Sequence, residues 1–160
     1  MDVRIETLPA VEVVYCRRVG PYNEMAPQAW MAPWAWVRAH DLYGRVRGNF
    51  GFGLDDPRTT PPERLRYDAC LVLDGEVTPD ADAGIEVQTL PGGRYAIYTL
   101  KGPYGQISKV FGDLRNDWLP GSGEWLDPTR PFLEVYLNNP DDVPESEYLT
   151  DLHLPLGAAP

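Results

Sequence analysis

Two stretches of the sequence share one layout. Leu8-Pro9 is followed, twelve residues after the leucine, by Gly20-Pro21-Tyr22, and Leu90-Pro91 is followed at the same distance by Gly102-Pro103-Tyr104. Both motifs therefore recur at one offset, the distance along the chain from Leu8 to Leu90, which is called here the repeat offset. Two motifs in one register are poorly explained by coincidence and indicate an internal repeat.

The repeat extends beyond these motifs and divides the chain. Trp36 and Trp118 are also separated by the repeat offset. We therefore expect two homologous halves, about residues 1–83 and 84–160, joined by the polar segment 74–83. Together they form one domain of 1–160, a length that suits a single core or two small halves.

The second half has the clearer pattern of elements. A strand is predicted over 94–101, which is rich in Tyr, Ile and Thr, and Gly-Pro-Tyr then turns the chain. Apolar residues at helical spacing predict a helix from Ile107 to Trp118, and Pro120-Gly121 ends it. Further strands are expected over 132–137 and 149–154.

The first half repeats this order less cleanly. A strand is expected over 11–19, followed by a helix that carries Pro33 in its interior, where a proline costs about 3 kcal/mol or kinks the helix. Strands near 45–54 and over 65–73 complete the half. The glycines of the 45–54 segment lack a following Lys-Ser/Thr and are not a phosphate-binding loop.

These elements predict an α+β fold. Two strand-helix-strand-strand modules would be related by pseudo-twofold symmetry, with antiparallel sheets and helices on one sheet face. The other face would line a ligand groove at the junction of the modules.

Charge and composition exclude several classes of function. The net charge of −10 argues against direct binding of DNA or RNA, which requires clustered Lys and Arg. No apolar run is long enough to span a membrane and no secretion signal is visible, so we expect a cytoplasmic protein. Cys16 and Cys70, like His40 and His153, form no metal motif, and we expect neither a metal nor a cofactor.

Glu134 is the foremost candidate functional residue. It lies within an apolar run in which Phe132, Glu134 and Tyr136 alternate with aliphatic residues, so these three share one strand face. The all-aliphatic face is expected to meet the helices, which leaves Glu134 in the groove among aromatic rings. A carboxylate there suits a hydrophobic cation, since aromatic faces add cation–π attraction. The alternative is a glutamate on an open sheet face, paired with an arginine.

A second acid and several aromatic residues complete the expected pocket. Asp68 is expected at the equivalent place in the first half, although it could instead hydrogen-bond a neighbouring turn. Trp125 lies in a Gly-rich loop and is the candidate lid. The remaining candidate pocket aromatics, any of which could equally be core residues, are Tyr15, Phe52, Tyr67, Tyr104 and Tyr136.

The order of short motifs resembles the GyrI-like family, also known as the AraC-type effector-binding domain. The motifs lie at 3–10, 18–22, 56–70, 92–96, 101–104, 118–120, 131–138 and 150–156, so the resemblance covers nearly the whole chain. It implies tandem modules with a central ligand pocket, and it matches the family's acidic pocket residue to Glu134. Because the pattern uses up the chain and leaves no helix-turn-helix, we expect a free-standing bacterial member.

Three functions remain open at this point. The favoured one is a binding module for hydrophobic compounds, cationic or planar, that senses or sequesters a drug. The alternative is a hydrolase of cyclopropane-bearing alkylating natural products, in which Glu134 and Tyr104 or Tyr136 would act as an acid–base pair. A further alternative is a protein partner like that of the DNA gyrase inhibitors, where the acidic chain would meet a basic surface.

Overall fold

The computed structural model describes all 160 residues and divides them into two compact units. One unit comprises Ala10–Leu90 and is called here the 10–90 unit. The other comprises Met1–Pro9 together with Pro91–Pro160 and is called the 91–160 unit.

The 10–90 unit is a four-stranded antiparallel sheet covered by a long helix. Its strands are β2 (Val11–Val19), β3 (Val46–Gly53), β4 (Arg66–Leu73) and β5 (Glu86–Leu90), in the order β3-β4-β2-β5. The helix α1 (Tyr22–Ala39) packs on one face. The core there includes Val14, Leu71 and Leu73 from the strands and Trp36 and Val37 from the helix.

The 91–160 unit has the corresponding sheet. Its strands are β1 (Arg4–Leu8), β6 (Gly93–Lys101), β7 (Trp125–Leu126), β8 (Leu133–Tyr136) and β9 (Leu149–Gly157), in the order β1-β6-β9-β8, with β7 paired to the end of β9. The helical segment runs through α2 (Ile107–Asp113), a π turn (Leu114–Trp118) and α3 (Leu119–Ser122). Its core combines the leucines of β9 with Ile107, Val110 and Leu114.

The repeat offset is visible in the element bounds. It relates β1 to β5 at both ends, and it relates β2 to β6 at both ends. The compact units nevertheless differ from the sequence halves, because the first strand of each half belongs to the sheet formed by the rest of the other half. β1 pairs with β6, and β5 pairs with β2.

The α+β expectation is confirmed, but the expected end of the second helical segment at Pro120-Gly121 is wrong, because Pro120 lies in the first turn of α3, where a proline is tolerated, and α3 continues to Ser122. Helix α1 carries Pro33 in its interior, as expected, and continues to Ala39. Pro33 itself is buried beside Trp36 and Val37, and each fully buried large apolar side chain contributes about 1.5–3 kcal/mol. The burial of this helix face offsets the cost of the hydrogen bond that the proline removes. Neither α1 nor the shorter helices offer the unbroken apolar length that a bilayer crossing demands.

Candidate functional site

Glu134 and Tyr136 lie on the short strand β8, side by side on one face. The register of β8 with β9 places Glu134 opposite Leu152 and Tyr136 opposite Thr150. The hydroxyl of Tyr136 donates a hydrogen bond of 2.5 Å to Oε2 of Glu134. Both side chains are partly buried. A carboxylate that accepts a phenolic hydroxyl at this distance is held in a defined orientation.

The face that carries Glu134 is the one covered by helices, contrary to the sequence-based expectation. Phe132 and Tyr136 pack against the core that contains the α2 side chains, whereas Leu133 and Val135 lie opposite His153 and Asp151. The reason lies in β9, not in β8. Leu152, Leu154 and Leu156 of β9 face the helix core, and a residue directly opposite one of them shares its face. The alternation of polar and leucine residues in Thr150–Leu156 was the available signal.

Two further tyrosines extend the aromatic surroundings of this carboxylate. The ring of Tyr104 meets Tyr136 edge-on at a centroid distance of 5.2 Å and stacks on Tyr148 at 4.7 Å. Burial, followed by the neighbouring Tyr148, raises the pKa of Tyr104, so its phenol stays protonated at neutral pH. Three tyrosine rings thus form a contiguous group with Glu134 attached to it.

Tyr148 was missed by sequence reasoning. The backbone N–H of Gly102 donates to the carbonyl of Tyr148 at 2.9 Å, which brings this residue beside the Gly102-Pro103-Tyr104 turn. Tyr148 directly precedes β9, and the pairing of β9 with β6 ends at Lys101 opposite Leu149. The contact therefore follows from strand pairing between distant segments, which no local motif reveals.

A buried hydroxyl without a partner stands next to this group. Thr150, directly opposite Tyr136, is fully buried, and its Oγ1 makes no hydrogen bond. Its cross-strand neighbour on the other side is Leu100, a core residue. An unsatisfied buried hydroxyl costs about 1–3 kcal/mol, so this position weakens the unit.

Asp68 does not correspond to Glu134, and that expectation is corrected. Arg17 grips the fully buried Asp68 with two hydrogen bonds of 2.7 and 2.9 Å, and Gln88 donates a third of 2.9 Å. The bond to Asp68 is also the main reason why the pKa of Arg17 is raised. Arg17 lies opposite Asp68, and Thr99, which the repeat offset relates to Arg17, lies opposite Asp151. The counterpart of Asp68 is therefore Asp151.

Asp68 also lies on the sheet face away from α1. The residues on either side of it along β4, Tyr67 and Ala69, are the ones that pack with Ala29 of the helix. Its three hydrogen-bond donors on the opposite face satisfy the carboxylate within the protein. Asp68 thus forms a structural ion pair with Arg17. Its partners lie on neighbouring strands, not in a neighbouring turn as the alternative had it.

The other predicted aromatic residues of the 10–90 unit have separate environments. Tyr67 faces α1, where Nε1 of Trp30 donates to its hydroxyl at 3.2 Å. Tyr15 donates to Glu86 at 2.9 Å, and Phe52 lies opposite Asp68, so both belong to the face away from α1. Only Tyr67 of these three shares a face with its helix.

Trp125 is distant from Glu134 along the sheet. It lies opposite Gly157 at the end of β9, five residues beyond Leu152, the partner of Glu134. At about 3.3 Å per residue this is roughly 16 Å along the strand. Trp125 is half exposed. Of the eight predicted site residues, the structure brings together Glu134, Tyr136 and Tyr104.

Comparison with known proteins identifies relatives across nearly the whole chain. The family model described as GyrI-like small molecule binding domain matches residues 1–156. A DNA gyrase inhibitor of Serratia proteamaculans is 40% identical over 126 residues, which are 77% of this chain and 79% of that protein.

Solved structures share the fold at low sequence identity. The C-terminal domain of EcmrR superposes with a TM-score of 0.77 at 16% identity, covering 99% of this chain and 98% of that one. The protein SAV2435, solved bound to tetraphenylphosphonium, gives 0.69 at 15% identity, covering 99% and 95%. At these identities the likeness extends to the fold alone.

Proposed function

Because this chain belongs to the GyrI-like small-molecule-binding family, we propose that Glu134 and the tyrosines around it bind a hydrophobic organic cation. The single observation that carries the proposal is the Glu134 carboxylate, which is oriented by Tyr136 and attached to the stacked rings of Tyr104 and Tyr148. The tetraphenylphosphonium bound to SAV2435 supports the same class of ligand.

The chemistry of the site favours a delocalised cation over an anion or a neutral compound. A partly buried carboxylate attracts positive charge, and it does so most strongly where few water molecules screen it. Tyrosine faces add cation–π attraction, up to about 2 kcal/mol when the cation is desolvated. A large apolar cation loses little hydration on binding, so both terms contribute.

The experiment is a titration of the protein with tetraphenylphosphonium, in which isothermal titration calorimetry measures the affinity. We expect the Glu134→Gln variant to bind at least tenfold more weakly than the wild type, since losing a charge partner in a desolvated site costs about 1.5 kcal/mol or more. The matched control is Glu145→Gln, an exposed glutamate of the 91–160 unit, which should bind like the wild type. A neutral probe, triphenylphosphine oxide, should bind equally to wild type and Glu134→Gln.

Equal affinity of wild type and Glu134→Gln for the cation would contradict the proposal. The same mixtures, with a cyclopropane-bearing alkylator as an additional ligand, distinguish binding from turnover. Hydrolysis adds one water to the alkylator, which mass spectrometry detects, and the Tyr136–Glu134 pair would then serve as the acid and base. An unchanged ligand mass with saturable binding supports a sensor or scavenger.

A second candidate function is inhibition of DNA gyrase. It is favoured by one specific observation, the 40% identity with the Serratia proteamaculans protein of that name. The net charge of −10 would attract a basic surface of such a partner. A supercoiling assay tests it: inhibition should weaken as salt rises, and full supercoiling at low salt with excess protein would remove this candidate.

A further inference from the structure

The first strands of the two sequence halves are exchanged in one common register. In the β1–β6 pair, Leu8 lies opposite Gly93 and Arg4 opposite Ile97. The repeat offset relates β5 to β1 and β6 to β2. In the β5–β2 pair, Leu90 lies opposite Val11 and Glu86 opposite Tyr15. The same register without exchange would give local hairpins, with Leu8 opposite Val11 and Leu90 opposite Gly93.

Those local hairpins would need two-residue loops that begin with proline. The loops would be Pro9-Ala10 and Pro91-Gly92. Two-residue hairpins use type I′ or II′ turns, which require a positive φ at the first loop position. The proline ring holds φ in the negative range, and none of these four residues has a positive φ in the structure. The repeated Leu-Pro motif therefore opposes the local pairing in both halves.

Charge opposes it as well in the 91–160 unit. Arg4 of the exchanged strand β1 donates to Asp151 at 2.5 Å and to Thr99 at 3.1 Å. In the local pairing β5 would take the place of β1, and Glu86 would take the place of Arg4. A glutamate would then face the nearly buried carboxylate of Asp151. Asp151 would then lose its arginine and gain a neighbouring carboxylate, and like charges at close range repel each other.

The 10–90 unit differs in what the local pairing would bring. Gln88 of the exchanged strand β5 donates to Asp68 at 2.9 Å, and Arg17 of β2 is the arginine partner of Asp68. In the local pairing Glu6 would replace Gln88, and Arg4 would replace Glu86 and come close to Asp68 beside Arg17. The exchanged pairing thus gives each buried aspartate one arginine, whereas the local pairing would place two arginines at Asp68 and leave Asp151 with none.

We propose that the two Leu-Pro hinges and the side chains at positions 4, 6, 86 and 88 form a pairing code that selects strand exchange over local hairpins. The hinge prolines exclude the tight turn. The charges on β1 and β5 give each buried aspartate one arginine in the exchanged pairing, whereas local hairpins would leave Asp151 without one and bring Glu86 close to it. This code is independent of ligand binding.

The test compares two variants of the full chain by methyl NOEs. The hinge variant carries Pro9→Asn, Ala10→Gly and Pro91→Asn, which creates Asn-Gly turns at both hinges. The hinge-and-charge variant adds Arg4→Glu, Glu6→Gln, Glu86→Arg and Gln88→Glu, which exchanges the code between β1 and β5. The wild type should show contacts of Ile5 with Ala96 and of Val87 with Val14.

The hinge variant should keep the wild-type contacts, because local hairpins would still leave Asp151 without its arginine. The hinge-and-charge variant should instead show contacts of Ile5 with Val14 and of Val87 with Ala96. Complete switching in the hinge variant would overturn the role of the charges. Wild-type contacts in the hinge-and-charge variant would overturn the code as a whole.

A milder variant decides the matter if the seven-substitution protein does not fold. Arg4→Gln removes the contact of β1 with Asp151 and should accelerate hydrogen exchange of the β1 and β6 amides at least tenfold. Arg64→Gln, at an exposed arginine of the 10–90 unit, is the matched control and should leave those rates unchanged. Unchanged β1 exchange in Arg4→Gln would overturn the proposal.

Discussion

The two units have the same strand order but carry different side chains on the sheet face that the helices cover. β3 of the 10–90 unit and β8 of the 91–160 unit hold corresponding places, next to β4 and β9. Where β8 carries Glu134 and Tyr136, β3 carries Gly51 and Gly53. The same strand position thus carries glycines in one unit and a carboxylate with a tyrosine in the other.

The corresponding tyrosines of the two repeats show how the difference arises. Tyr22 lies so close to Gly53 that a Cβ there would overlap its ring, and its hydroxyl bonds to the backbone of Asp55. Tyr104, its counterpart in the second repeat, meets the ring of Tyr136 instead. Because Gly53 has no side chain, the Tyr22 ring packs directly against β3. On β8 the ring of Tyr136 occupies the corresponding place, and Tyr104 contacts that ring instead of the strand.

The largest expected effect comes from Asp68, the buried acid of the 10–90 unit. Asp68→Asn should lower the free energy of unfolding by roughly 3 kcal/mol, because it breaks a buried ion pair with Arg17. Urea unfolding measures this loss. Cation binding should persist, since Asp68 faces away from α1. The exposed Asp141→Asn should stay within about 0.5 kcal/mol of the wild type. A loss below about 1 kcal/mol for Asp68→Asn would sink the assignment of Asp68 as structural.

Acid should affect the 91–160 unit through His153. Burial lowers the pKa of His153 to about 4 from its usual 6.5. The unfolded chain therefore binds the proton first, and the stability due to the neutral imidazole is complete above pH 6.5 and lost as the pH falls toward 4. The loss approaches about 3 kcal/mol, relative to His153→Leu, in urea unfolding at pH 7 and pH 4.

This pH dependence is expected to be one-sided. The counterpart of His153 in the other unit is Cys70, a buried thiol whose pKa is raised by burial and which stays neutral over the same range. Cys70→Ala should therefore lower stability by the same amount at both pH values. Parallel pH curves for the wild type and His153→Leu would show that His153 is not the titrating group.

A methyl group at Gly53 tests directly whether the Tyr22 ring packs against β3. Gly53→Ala should destabilise the protein by about 2 kcal/mol, because the added Cβ would overlap the Tyr22 ring. Gly44→Ala is the matched control, since a Cβ at Gly44 meets no atom within 4 Å. Thermal unfolding compares the two. Equal melting temperatures of the two variants would mean that the packing of Tyr22 against Gly53 does not contribute to stability.

The smallest effect is expected at Thr150, beside Tyr136. Thr150→Val removes a buried hydroxyl that has no partner and should raise the free energy of unfolding by about 1 kcal/mol. Thr99→Val should have the opposite sign, because the hydroxyl of Thr99 donates to Asp151 at 2.5 Å. A loss of stability in Thr150→Val would mean that its hydroxyl has a partner such as an ordered water.

Sequence reasoning predicted the repeat and most elements well, because these depend on local chemistry. The repeat offset reappears in the bounds of β1, β2, β5 and β6 without any shift. The pairing of Phe132, Glu134 and Tyr136 on one face also followed from the pleat. The helix from Ile107 to Trp118 was expected, although it includes a π turn and continues through α3 to Ser122 instead of ending at Pro120-Gly121.

The wrong expectations concern choices that a single segment does not contain. The pleat assigned Glu134 to one of two faces, but the leucines of β9 decided that this face meets the helices. The apparent match of Asp68 with Glu134 failed because Asp68 belongs to the counterpart of β9. Tyr148 was not found because its contact with Tyr104 depends on the pairing of β6 with β9.

The sequence by itself determined the duplication, the α+β composition and the alternation that makes Glu134 and Tyr136 neighbours. Periodicity and turn residues act within a few positions, so they are readable along the chain. The tertiary structure alone decided which strands pair, which face meets a helix and which aspartate is held by Arg17. These outcomes depend on contacts between residues far apart along the chain, whose energies no local pattern carries.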